Sequence, residues 1–146
     1  MSLSHQQKVL RLQQQLIAHR QSGSEKQIRF RHGGTNATRP KQQSKYKMID
    51  TSDLDQVLRI DAENKIAVAE ANVPMDQLVT ETLKHNLIPQ VVVEFPGITV
   101  GGAIQGAALE SSSFRFGQFD DTCLQYEVIT PDGEIRQCSK DENVDL

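Results

Sequence analysis

Apolar residues near the amino terminus recur at helical spacing. Val9, Leu10, Leu12, Leu16 and Ile17 fall on one stripe of a helix predicted from about Ser4 to Gln21, and Ser22-Gly23-Ser24 stops it. From Gln27 the pattern alternates, with Ile28 and Phe30 pointing one way and Arg29 and Arg31 the other, so a short half-buried strand is expected. A polar connection from Lys41 to Lys47 leads to a second short strand at Met48-Ile49. Val57, Leu58 and Ile60, then Ile66 and Val68, flank the turn-rich Asp61-Ala62-Glu63-Asn64 and predict a hairpin. Pro74 suits the first turn of a helix, where its missing N–H is harmless. Met75, Leu78, Val79, Thr82 and Leu83 continue that helix, and Asn86 suits its exit. Val91-Val92-Val93, between Pro89 and Pro96, fits either a strand or an extended loop. Thr99 can cap a helix from Val100 to about Ala108. Leu124, Tyr126 and Val128 alternate along a strand, Pro131-Asp132-Gly133 turns the chain, and residues 134–138 pair back. Ser139 followed by Glu142 reads as the capping box of a further helix. One turn cannot hold alone against the cost of nucleation, so the fold is expected to be incomplete at its carboxyl end. There is no internal repeat, and the class is α+β, without the regular alternation of a doubly wound sheet.

At 146 residues the chain has the size of one domain. Its 24% charged residues and net charge of −3 exclude a bulk polyelectrolyte. No apolar run approaches the ~18–20 residues of a membrane span, and the Gln-rich amino terminus lacks the pattern of a secretory signal. A cytoplasmic location is expected. Cys123 and Cys138 are too few for a four-cysteine zinc site or a disulfide framework. They fall in two predicted strands joined by a hairpin, where they can be neighbours, and buried free thiols are the expected state.

The average charge hides an asymmetry. Residues 1–49 hold ten Lys/Arg against one acid, and residues 50–146 hold six against eighteen, giving +9 and −12. Two readings fit. The opposite charges can simply face each other in the fold, or the basic segment can serve a phosphate-bearing ligand, RNA or a protein partner as a noncatalytic binding module over residues 26–47. Phe30 and Tyr46 are the only aromatics there on which bases could stack, which weakens the nucleic-acid version.

Three segments rich in glycine and serine are candidates for chemistry. Gly33-Gly34-Thr35-Asn36-Ala37-Thr38 directly follows a predicted strand. It is either an ordinary turn or a nest of converging N–H groups that holds an anion. Thr99-Val100-Gly101-Gly102, with Gly106 beyond, places small residues early in a helix. That arrangement suits close approach of a ligand with helix N–H groups facing a phosphate, or close packing of the helix on its neighbours. Glu110-Ser111-Ser112-Ser113 can bind phosphate or ribose hydroxyls, or can be a plain loop. Neither glycine run matches the dinucleotide fingerprint or the Walker loop. His5, His19, His32 and His85 show no metal spacing, the serines have no evident base partner, and Asp120-Asp121 reads as a turn. No metal site is expected and no catalytic residue is assigned.

In that order, the three segments resemble the flavin-binding domain of the vanillyl-alcohol oxidase (PCMH-type) flavoproteins. Within the family the sequence most resembles the 24-dehydrocholesterol (delta(24)-sterol) reductases and their fungal relatives. The residues that carry the likeness are Thr99-Val100-Gly101-Gly102, Gly106, Glu110-Ser111-Ser112-Ser113, Phe116-Gly117, Cys123, Tyr126-Glu127 and Cys138-Ser139. The resemblance implies a PCMH-type FAD-binding fold of two small α+β subdomains over residues 26–146, preceded by an amphipathic helix in 1–25. It implies that Gly33, Gly34, Thr35, Asn36, Ala37 and Thr38 hold the FAD pyrophosphate, and that Thr99 through Ser113 continue along the cofactor. Thr35 stands where some relatives place a histidine bonded covalently to flavin. Threonine cannot form that bond, so noncovalent FAD is expected, and His32 reads as a strand-end residue. In the intact relatives NADPH reduces FAD, which passes hydride to the side-chain double bond of a sterol. Membrane association belongs to those intact relatives. For this chain the resemblance implies neither a transmembrane segment nor a nucleic-acid partner, and no catalysis by the fragment alone.

Overall fold

The structure is a computed structural model and describes residues 3–32 and 46–146. These form two compact units, each with its own helix, strands and core. The first comprises residues 3–31, 46–51 and Leu124–Leu146, and the second Ser52–Cys123. Among the described residues no helix is long and apolar enough to cross a membrane.

The first unit is organised by α1 (His5–Gln21). Ser4 caps it reciprocally, its hydroxyl accepting from the Gln7 amide at 3.3 Å while the Gln7 side chain accepts from the Ser4 amide at 2.9 Å. Val9, Leu12 and Leu16 are buried. Leu10, expected on the same stripe, is exposed, because one residue rotates the helix by about 100°. Lys8 takes the covered position instead. The helix ends at Ser22, and Gly23 follows with φ +64°.

Two strands, β1 (Gln27–Arg31) and β2 (Tyr46–Asp50), pair in parallel, Gln27 opposite Tyr46 and Arg31 opposite Asp50. Ile49 is fully buried. The alternation expected for β1 is present with its faces reversed. Ile28 and Phe30 are exposed, and Arg29 is the half-covered residue, its guanidinium 5.6 Å from the centre of the Tyr46 ring. Arg31 pairs with Asp50. β1 and β2 thus hold two of the basic residues against their own neighbours.

The antiparallel hairpin of β5 (Gln125–Ile129) and β6 (Ile135–Ser139) completes this unit. Its turn closes through Gly133 N–H to Thr130 O at 2.8 Å and Thr130 N–H to Glu134 O at 2.9 Å. Leu124 and Val128, expected to face inward, are exposed. Cys138 lies opposite Tyr126, whereas Cys123 precedes the ladder and caps a short 3₁₀ turn, so the two cysteines are not ladder partners. The helix expected after Ser139 does not form. The Ser139 hydroxyl accepts from the Glu142 amide at 3.1 Å as a cap would, yet the Ser139 amide itself donates to Glu142 O at 2.8 Å and closes a local turn.

In the second unit, β3 (Val57–Asp61) and β4 (Ile66–Ala69) form the predicted hairpin. The Asp61 carboxylate takes the Asn64 amide at 3.0 Å and Lys65 adopts φ +57°. Pro74 precedes α2 (Met75–Leu83), which buries Met75, Leu78 and Thr82 and leaves Leu83 exposed, contrary to expectation. Asn86, at φ +57°, ends it, with Leu87 N–H donating to Thr82 O and Asn86 N–H to Leu83 O. Val91-Val92-Val93 is an extended loop with Val91 and Val93 turned into the core. They pack with Val73, Met75, Leu78, Ala103 and Phe119.

Candidate functional site

Of the predicted site residues, Thr99, Val100, Gly101, Gly102, Gly106 and Glu110 to Ser113 lie in the second unit; Gly33, Gly34, Thr35, Asn36, Ala37 and Thr38 lie outside the described residues. A shallow groove of about 660 Å³ in the first unit, lined by Leu16, Arg20, Ile28, Asp132 and Arg136 among others, includes none of the predicted site residues that are described.

α3 (Val100–Gln105) is shorter than the helix expected to reach Ala108. Ala107 turns to φ +47°, and Ala108 N–H donates back to Ala103 O at 2.9 Å, closing the helix early. Thr99 caps its start, accepting from the Gly102 amide at 3.1 Å. Thr99→Ala is therefore expected to cost about 1 kcal/mol, read as a lower urea midpoint with an unchanged slope.

The three glycines of this segment do different things. A Cβ on Gly101 would stand 3.0 Å from the Ala71 carbonyl oxygen and 3.1 Å from the Ala71 Cβ, so Gly101 is where the helix closes onto backbone. Gly102 and Gly106 are exposed, four residues apart and hence on one face. Within 4 Å, a Cβ at Gly102 would meet only the Thr99 hydroxyl, and one at Gly106 only Gly102 O. This part of the α3 surface is bare backbone, suited to a flat or extended ligand lying close against it.

The amides at the start of α3 correct one expectation. Val100 N–H donates to Val73 O at 2.8 Å, Gly101 N–H to Ala71 O at 2.7 Å, and Gly102 N–H to Thr99 Oγ1. All three are spent on protein acceptors, so the start of α3 does not present them to a phosphate. Ala71 and Val73, absent from the sequence reading, are the residues that consume two of them. Only their three-dimensional neighbourhood reveals this, since each lies about thirty residues away along the chain.

The serine segment is likewise committed internally. Glu110 Oε1 accepts from the Ser112 amide at 2.7 Å, Oε2 accepts from the Ser111 hydroxyl at 2.7 Å, and the Glu110 amide donates to Ser113 Oγ at 3.0 Å. The Ser112 hydroxyl donates to Gln90 O at 2.7 Å. The hydroxyls of Ser111 and Ser112 and the Ser112 amide thus already have acceptors within the protein, while Ser113 Oγ is an acceptor. α4 (Ser113–Phe116) follows directly.

Those bonds hold the Glu110 carboxyl down to about 2, against an ordinary value of 4.5, the Ser112 and Ser111 hydrogen bonds being the largest causes. Because the folded value is the lower one, the carboxylate favours the folded state above about 4.5, and this contribution fades as pH falls from there through about 2. An NMR titration of the Glu110 side chain is expected to give a midpoint near 2, moving back toward 4.5 in Ser111→Ala.

A family model described as an FAD binding domain matches residues 13–139. The delta(24)-sterol reductase of Pisum sativum is 40% identical over 93 residues, which is 64% of this chain and 16% of that protein. The delta(24)-sterol reductase of Homo sapiens is 34% identical over 90 residues, 62% of this chain and 17% of that protein. The chain thus spans only a small part of the length of these curated relatives. The crystal structure of 6-hydroxy-D-nicotine oxidase from Arthrobacter nicotinovorans superposes with a TM-score of 0.72 over 90% of this chain and 28% of that one, at 21% identity, and shares the fold. The glycine- and serine-bearing segments lie inside the matched range, and the chain belongs to the PCMH-type FAD-binding domain family, with FAD as its cofactor.

Proposed function

We propose that residues 26–146 bind FAD noncovalently, as the cofactor-binding part of a flavin-dependent oxidoreductase that transfers hydride to a sterol side-chain double bond. Bound FAD supplies the hydride chemistry, with NADPH as electron donor in the complete protein, and this chain's own residues supply the bed. The reading is supported chiefly by the family match over residues 13–139, together with sterol reductases among the relatives. The bare face at Gly102 and Gly106 is compatible with a ligand of that shape. Since the first amides of α3 and the donors of Ser111 and Ser112 are already engaged, the pyrophosphate role falls to Gly33 through Thr38 in this proposal, and α3 serves as a wall along the cofactor. No turnover of a sterol is expected from this chain by itself, which spans 16–17% of those reductases.

The rival reading, a binding module on the basic segment 26–47, draws less support, because Arg29 lies on Tyr46 and Arg31 pairs with Asp50. Titration of the purified chain with FAD separates the two. Flavin absorbance approaching one FAD per chain is expected, released by acid precipitation because no covalent bond holds it. Gly34→Asp and Gly102→Asp are each expected to weaken binding roughly tenfold or more, equivalent to about 1.4 kcal/mol of repulsion or lost approach, with circular dichroism unchanged. Folded chain that binds no FAD but shifts with RNA in a salt-dependent way would replace the flavin reading with the rival one.

A further inference from the structure

We infer that Glu110 is a positioning residue for the flavin-binding face: its carboxylate shapes residues 110–113 and, through Ser112, fastens the exit of α3 to the extended loop at Gln90. The inference rests on the flavin reading above and assigns Glu110 a role other than touching the cofactor.

The two carboxylate oxygens take one backbone N–H and one hydroxyl within the next two residues, both at 2.7 Å. Holding the Ser112 amide fixes the orientation of Ser112, whose hydroxyl then reaches Gln90 O at 2.7 Å. Gln90 adjoins Val91, which is fully buried, so the loop is tied to a segment anchored in the core of the second unit. The other side is closed by the Glu110 amide on Ser113 Oγ and the Ser113 amide on Glu110 O at 2.9 Å. Upstream, Ala108 is held between Ala103 and Phe119, its N–H donating to Ala103 O and its carbonyl accepting from Phe119 N–H. The chain leaving Gly106 is therefore pinned at both ends, and Glu110 supplies the second pin. With both carboxylate oxygens and the Ser112 hydroxyl already paired inside the protein, a preformed loop needs no ligand to order it.

The test uses the full 146-residue chain, FAD affinity followed by flavin fluorescence, and amide hydrogen exchange at Ser112 and Ser113. Glu110→Ala is expected to speed exchange at both amides and to weaken FAD roughly tenfold. Glu110→Gln keeps a carbonyl acceptor for the Ser112 amide and offers an N–H to the Ser111 hydroxyl, so it is expected to restore both readouts. Faster exchange in Glu110→Ala with undiminished FAD affinity overturns the inference and leaves the flavin reading standing. So does a Glu110→Gln variant as weak as Glu110→Ala, which would make the charge, not the shape of the loop, the thing that matters. Unmodified chain that takes up no FAD removes the flavin reading and this inference together.

Discussion

Gly133→Ala is expected to destabilise the first unit by about 3 kcal/mol or more, from two separate causes that act at one atom. Gly133 sits at φ +87°, closing the turn between β5 and β6, where an L side chain is strained by about 1–3 kcal/mol. The added Cβ would also stand 2.6 Å from Ile17 Cγ1 and 3.3 Å from Ile17 Cδ1, on the helix that packs against this turn. Overpacking of that sort typically costs about 1–3 kcal/mol. Relief by retreat of the turn is costly too, because Gly133 O accepts from Gln13 Nε2 at 2.7 Å and Gly133 N–H donates to Thr130 O. Urea denaturation should report a lower midpoint at unchanged slope. A second variant divides the causes. Ile17→Ala in the Gly133→Ala background removes the steric part and leaves the backbone part, so the double mutant should be less destabilised than the sum of the singles. Strict additivity would show that Ile17 and Gly133 do not press on each other.

Local chemistry carried much of this architecture into view. The start of α1 near Ser4, the Asp61-to-Asn64 turn, and the helix exits at Gly23 and Asn86 are all made by residues within five positions of one another. What failed to read was set at a distance. The faces of β1 are reversed where its parallel partner β2 offers the Tyr46 ring to Arg29, a neighbour seventeen residues away along the chain. Leu83 and Leu124 have the residue type of a core, yet both are exposed. Ser139 has the right cap and no helix, since its amide is already committed to Glu142 O. The candidate site divides along the same line. That small residues open α3 was legible; that Gly101 serves Ala71 while Gly102 and Gly106 face outward was not, because the difference lies in a contact with a distant carbonyl. The Glu110 bonds are an instructive opposite case, being local enough that an acid immediately before three serines could have suggested them.

Gly117→Ala should be the most damaging single substitution of a methyl for a hydrogen in the second unit, at about 3–5 kcal/mol. Gly117 has φ +80° and ψ −162°, a combination essentially reserved for glycine. Its absent Cβ would overlap the Asp121 carboxylate, lying 2.8 Å from both Cβ and Cγ of that residue and closer still to Oδ2. Asp121 cannot swing aside without loss, because Oδ2 accepts from the Gln118 amide at 2.8 Å and so opens the 3₁₀ turn at Asp120–Thr122. That turn delivers Phe119 into the core, where it is 5% exposed, and Phe119 N–H donates to Ala108 O just beyond α3. The substitution therefore strains the backbone, crowds a carboxylate and loosens a buried aromatic at once. Replacing Asp121 by glycine in the Gly117→Ala background should recover only the steric share, since the unusual backbone angles remain and the Gln118 amide loses its acceptor. If Gly117→Ala instead unfolds at the same urea concentration as the unsubstituted chain, the glycine's place beside Phe116 in the flavoprotein-like motif would need a ligand-facing explanation. An unchanged FAD affinity in whatever fraction stays folded would mark it as a turn residue that holds Phe119 and, through Ala108, the exit of α3.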